Sequence, residues 1–190
     1  RRGEGRLKRE RRHALEAAAA AVVSAVVRRL PRRLVLALGR QLGRLWAALD
    51  PRHLAIAADN LRRAFPEWGE ARVQATARGV YAHFATVLLD ILWMEGRPVE
   101  ELLALADVEG LEHLKGALAQ GLGVVSPLAH LGNWEFQGVT TSPLAGPSAV
   151  VARPLDNPSL DRRLVSFRAS TGNIVIYKQK PSGFFGTNLT

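Results

Sequence analysis

Residues 123–135 read Gly123-Val124-Val125-Ser126-Pro127-Leu128-Ala129-His130-Leu131-Gly132-Asn133-Trp134-Glu135. Val124, Val125 and Leu128 form a short apolar run that begins at a glycine and follows the helix-like stretch Leu111–Ala119, so a buried strand is expected over Gly123–Ala129. Gly132 supplies a turn, and Asn133 is placed to cap a helix that carries Trp134 and Glu135. The segment therefore predicts an α/β fold, with His130 at the carboxyl end of a strand, where loops and helix N-termini gather active groups.

Within this segment a histidine is followed five residues later by a carboxylate. With five histidines and acids at roughly a tenth of positions, about half a match to that spacing arises by chance. The other four, His13, His53, His83 and His113, face Ala18, Ala58, Leu88 and Leu118; only His130 meets an acid, Glu135. Residues five apart on a continuous helix are turned about 140° from each other, so the pair can meet only across a bend. The same spacing argues against a helical zinc site, whose ligands sit three or four residues apart. A carboxylate on one imidazole nitrogen fixes the tautomer while the other nitrogen takes a proton from an attacking hydroxyl. With no serine or cysteine nucleophile in the His130–Glu135 hexapeptide, direct transfer is simpler than a covalent intermediate. Spacing alone favours the plainer reading, a partly buried histidine satisfied by a nearby acid, over the catalytic one.

Other segments appear in a meaningful order around this one: Asn60-Leu61 with Phe65-Pro66-Glu67, Val108-Glu109-Gly110-Leu111-Glu112, Val151 through Pro158, and then Arg168 with Gly172 and Ile176. Together they resemble the bacterial lipid A biosynthesis acyltransferases, the lauroyl and myristoyl transferases of the lysophospholipid acyltransferase superfamily, over roughly residues 15–180. The resemblance implies that His130 is the general base of an HX4E motif and Glu135 its partner. It also implies substrate-binding roles for Arg168, Arg153 and Asn133, the arginines on phosphate or a developing oxyanion. The implied reaction carries a fatty acyl chain from acyl carrier protein or acyl-CoA to a hydroxyl of a lipid A precursor, with no metal and no resident cofactor. Acylation of another glycolipid, such as a phosphatidylinositol mannoside, from acyl-CoA is the alternative.

The sequence departs from the family at two places. Pro127 interrupts the expected strand, where a proline removes a ladder donor. Residues 181–190, with Gly183-Phe184-Phe185-Gly186, resemble a later family element but arrive out of register, as a fragment, a deletion or a frameshift would give. An inactive membrane-binding fragment is thus a further reading of the chain.

The 190 residues carry a net charge of +9 and contain no cysteine, which excludes disulfides and thiolate metal sites. Residues 1–50 hold 13 arginines and lysines against four acids, whereas residues 51–190 hold 13 against 13, so all the excess lies in the first quarter. There the apolar stretch Ala17–Val27 falls short of the roughly 20 residues a spanning helix needs. Two short helices broken at Pro31 and flanked by arginines suggest an anchor lying in an anionic cytoplasmic leaflet; the resemblance implies that this is the leaflet of a bacterial inner membrane. A secretory signal is the competing reading, but no convincing cleavage site precedes Arg28 and Arg29. The basic arm lacks aromatic residues for base stacking, so nucleic acid is not an expected partner.

Residues 1–48 are accordingly expected to form membrane-associating helices and residues 49–190 the first portion of an incomplete α/β acyltransferase domain. Asp50-Pro51 predicts the start of a helix to Ala64, which Phe65-Pro66 ends. Glu70–Met94 predicts a longer helix with Val73, Ala77, Val80, Phe84, Val87, Leu88 and Ile91 on one face, either core or a wall for an acyl chain.

Overall fold

The computed structural model describes residues 2–121 and 123–178. The stretch 181–190, expected to be out of register with the family, lies outside the described residues. In chain order the elements are α1 (Arg2–Val27), α2 (Arg32–Leu49), α3 (Pro51–Ala64), α4 (Glu70–Met94), α5 (Val99–Leu103), α6 (Leu111–Leu118), α7 (Trp134–Ala145), β1 (Ser148–Ala152), α8 (Pro158–Ala169) and β2 (Asn173–Tyr177). They divide into two compact units. One comprises Ala20–Glu95 with His130–Asn133; the other contains α1 as far as Ala19 and the described residues of 96–129 and 134–178.

The first unit is helical. Pro31 separates α1 from α2 as expected, although α1 runs 26 residues rather than being short. Asp50 ends α2 and caps α3, its carboxylate accepting the His53 backbone N–H at 3.2 Å while Pro51 occupies the first helical position. That arrangement satisfies an end donor with a residue whose φ is already helical. Helix α2 buries Val35, Gly39, Gly43 and Ala47, one residue per turn, against α4. A Cβ built on Gly39 would lie 2.5 Å from the Thr86 Cα, and one on Gly43 would lie 2.4 Å from the Ala82 Cα and from the Tyr81 carbonyl oxygen. The two backbones approach this closely because α2 offers no side chain there. Farther along, Ala58 of α3 and Val73 and Ala77 of α4 form a small core edged by Leu54, Leu61 and Trp68.

The face expected on α4 is divided. Val73, Ala77 and Val87 are buried, but Val80, Phe84 and Leu88 are exposed, because the packed positions follow Tyr81, Ala85 and Leu89 instead. No helix among the described residues is long and apolar enough to cross a membrane.

The second unit holds the sheet. Strands β1 and β2 run parallel, with Ser148 opposite Asn173 and Ala152 opposite Tyr177, and α8 connects them. Asn157 caps α8 by accepting the Ser159 and Leu160 backbone N–H groups, and its amide nitrogen donates to the His13 carbonyl and the Glu16 carboxylate at 2.9 Å each. Leu102, Val139 and Phe167 are buried, with α7 packed on α5, α8 and β2.

The strand expected over Gly123–Ala129 is absent: residues 123–131 form neither strand nor helix. Pro127 has no N–H to give a ladder, Gly123 has a φ of +69°, and Val125 is 96% exposed, so the run is not the buried strand its composition suggests. The α/β character comes instead from β1–α8–β2, the segment matched by Val151–Pro158 and Arg168–Ile176.

Candidate active site

His130 is exposed at the end of the 123–131 loop. Gly132, at φ +63°, then turns the chain in a conformation that disfavours a side chain. Helix α7 begins at Trp134, where Asn133 had suggested a helix start, and places Glu135 in its first turn. A carboxylate there is favoured by the positive end of the helix dipole.

Glu135 is 6% exposed. Its two oxygens accept from Arg168 of α8, one from Nε at 2.9 Å and one from Nη2 at 2.5 Å, the planar fork that guanidinium and carboxylate make together. Arg168 sits in the last turn of α8, where a cation suits the negative helix end. The hydrogen bonds that Arg168 donates to Glu135 raise the guanidinium's pKa, against the opposing effect of burial, and the charges of Glu135 and Asp161 add to the rise. Asp161 itself accepts the Leu155 N–H at 2.8 Å and the Tyr177 hydroxyl. That last bond, with burial behind it, pushes the Tyr177 phenol up.

Gly132 and Asn133, at the turn itself, are held by α4. Asn133 donates from Nδ2 to Asp90 Oδ2 at 2.8 Å, and His83 Nε2 lies 3.1 Å from the Gly132 carbonyl oxygen, so that nitrogen carries the proton. Asp90 is 3% exposed and takes both Nε and Nη2 of Arg32 at 2.9 Å. The His130–Glu135 interval therefore spans a turn, with Gly132 and Asn133 held by α4 and Glu135 by Arg168.

Glu135 and Arg168, both expected at the site, are brought together. Arg153 is exposed and lies 3.5 Å from Asp156. Asn133 is engaged with Asp90, a partner the sequence reading did not name. Asp90, Arg32, His83, Asp161 and Tyr177 were all missed. Only Asp90 carried a signal: it is the sole acid between Glu70 and Glu95, in a strongly apolar stretch.

The ordered motifs find their counterpart in a comparison with known families. The family model described as bacterial lipid A biosynthesis acyltransferase matches residues 6–184. The chain belongs to this family. Among curated proteins it is similar to phosphatidylinositol mannoside acyltransferases of two Mycobacterium tuberculosis strains, 42% identical over 65 residues, covering 34% of this chain and 21% of the relative. The protein of the same name from Mycolicibacterium smegmatis is 43% identical over 77 residues, covering 40% of this chain and 24% of the relative. The matched region thus spans about a quarter or less of these relatives' length. No solved structure matches the chain.

Proposed function

We propose that the full protein is an O-acyltransferase that moves a fatty acyl chain from a thioester to a hydroxyl of a membrane glycolipid. The observation that carries this reading is the buried Glu135–Arg168 fork, built on the motif that begins at His130, inside a chain that belongs to an acyltransferase family.

In the proposed reaction the acceptor hydroxyl oxygen attacks the thioester carbonyl as His130 takes its proton. The tetrahedral intermediate collapses, the C–S bond breaks, and the thiolate leaves and is protonated by the imidazolium. Glu135 acts as the acid partner of the base, with Arg168 holding the carboxylate in one orientation. Such fixed orientation matters because an imidazole must present one nitrogen to the hydroxyl throughout. No covalent acyl-enzyme forms.

For the acceptor we favour a phosphatidylinositol mannoside over a lipid A precursor, with acyl-CoA rather than acyl carrier protein as donor. The names of the three relatives support the acceptor; a lipid A precursor is the second reading, supported by the family description. The acceptor would be met at the cytoplasmic face of the inner membrane. Exposed Leu34, Leu38, Leu42, Leu45 and Leu49 on α2, with Arg33, Arg40 and Arg44 on the same helix, support a surface-lying element there.

The test offers the full-length protein radiolabelled acyl-CoA or acyl carrier protein, each with a phosphatidylinositol mannoside or a lipid A precursor, and resolves products by thin-layer chromatography. Label on the mannoside from acyl-CoA is expected, with no acyl-protein adduct by mass spectrometry. Label on the lipid A precursor alone would overturn the acceptor, and a trapped acyl-enzyme would overturn direct transfer.

A further inference from the structure

Asp90 is the one carboxylate on the apolar length of α4, and it is buried. A buried charge persists only where partners replace its water. Asp90 has them from two distant stretches of chain: the Arg32 fork, 58 residues before it, and the Asn133 amide, 43 residues after. Arg32 is itself fixed. Its guanidinium lies 5.7 Å from the centre of the Trp93 ring, and the Trp93 indole N–H donates to the Leu30 carbonyl at 3.0 Å, which holds the turn at Pro31.

His83 precedes Asp90 by seven residues, two helical turns, and so lies on the same side of α4. It contacts the Gly132 carbonyl while Asp90 takes the neighbouring Asn133 side chain. A four-residue segment gripped at two consecutive residues has its backbone direction set. The residue that this direction aims is His130, two positions before Gly132.

We propose that Asp90, charge-balanced by Arg32, is a positioning residue for His130 and acts through Asn133. This rests on the reading of His130 as the base. On it, Asn133 is a tether rather than a substrate ligand, and an error in its placement appears in turnover more than in binding.

The experiment compares three variants of the full-length protein: Asn133→Ala, which leaves the Arg32–Asp90 pair intact; Asp90→Asn; and the exchange Asp90→Asn/Asn133→Asp, which reverses donor and acceptor. Each is measured for kcat, for KM of acyl donor and glycolipid, for amide hydrogen exchange at residues 131–133 without substrate, and for its unfolding midpoint. Asn133→Ala is expected to lower kcat about tenfold or more with KM within about twofold, as a displaced catalytic group does. Its loop amides should exchange faster, with the midpoint near that of the wild type. The exchanged pair should recover much of both losses. A wild-type kcat and exchange rate in Asn133→Ala, a raised KM with kcat unchanged, or an exchanged pair no better than Asp90→Asn would overturn the proposal. If the wild type transfers no acyl group while loop exchange still responds and is restored by the exchanged pair, the tether stands and the reading of His130 as base falls.

Discussion

His130 is exposed on a loop whereas Glu135 is buried against Arg168, so the two positions answer mutation differently. His130→Ala is expected to lower turnover by about 10²-fold or more with little change in stability. Glu135→Ala leaves a largely buried guanidinium without its counter-ion and is expected to cost roughly 3–5 kcal/mol of stability as well as activity. Urea denaturation beside steady-state kinetics separates the two; equal stability losses would show that the fork is not the anchor described. Arg168→Lys keeps the charge but loses the fork, and should recover little of either. The His130–Glu135 spacing and the candidacy of Arg168 were legible in the sequence because they lie in one ordered set of motifs. The partner of Arg168 was not, since nothing in a linear reading says which of 17 acids a distant guanidinium meets. Asp90 shows the same limit, with both of its partners more than 40 residues away.

Helix boundaries were legible where local chemistry sets them: Asp50-Pro51 and Phe65-Pro66 bound α3 as expected, because caps and prolines act over a few residues. The strand at Gly123–Ala129 failed because apolar content speaks for burial only when a neighbour pairs with the run, and Pro127 removes one of the groups that pairing needs. The α4 face held only in part, for a related reason. Helical periodicity marks an apolar stripe without saying which side another helix occupies, and Gly39 and Gly43 decide that from α2. Alanine at either glycine would overlap backbone atoms of α4, so Gly39→Ala and Gly43→Ala should each destabilise by about 1–3 kcal/mol. Gly79→Ala, with nothing within 4 Å of its new methyl, should instead stabilise by about 0.5–1 kcal/mol through helix propensity. Unfolding midpoints that rank the three alike would contradict the close packing. Between α3 and α4, hydrogen bonds from Arg62 and then Gln74 hold the Glu70 carboxyl at about 2, below 4.5. A depressed value means that the contribution is complete above 4.5 and disappears as the pH falls towards 2. A carboxyl-carbon NMR titration should show that midpoint, returning towards 4.5 in Arg62→Gln.

At the scale of the molecule, the expected basic, amphipathic first quarter contains α1 and α2. Leu34, Leu38, Leu42, Leu45 and Leu49 fall within about 80° of arc on α2, at 100° per residue, beside the stripe packed on α4. If α2 lies in a bilayer surface, Leu38→Glu/Leu42→Glu should weaken partition onto anionic vesicles at least about tenfold, since each buried leucine is worth about 1.5–3 kcal/mol. Sedimentation with vesicles measures this, and unchanged partition would remove α2 from the contact. The grip of α4 on residues 132–133 also has a meaning in time. Asn133 leaves the ribosome 43 residues after Asp90, roughly 2–9 s later at about 5–20 residues per second. Arg32 and Asp90 are by then already available to each other, so the segment bearing His130 is expected to arrive at a seat that is already built. Nascent chains stalled with α6 emerged but His130 still withheld should show α4 protected from exchange around Asp90; an unprotected α4 at that stage would mean that the last residues to arrive organise the first.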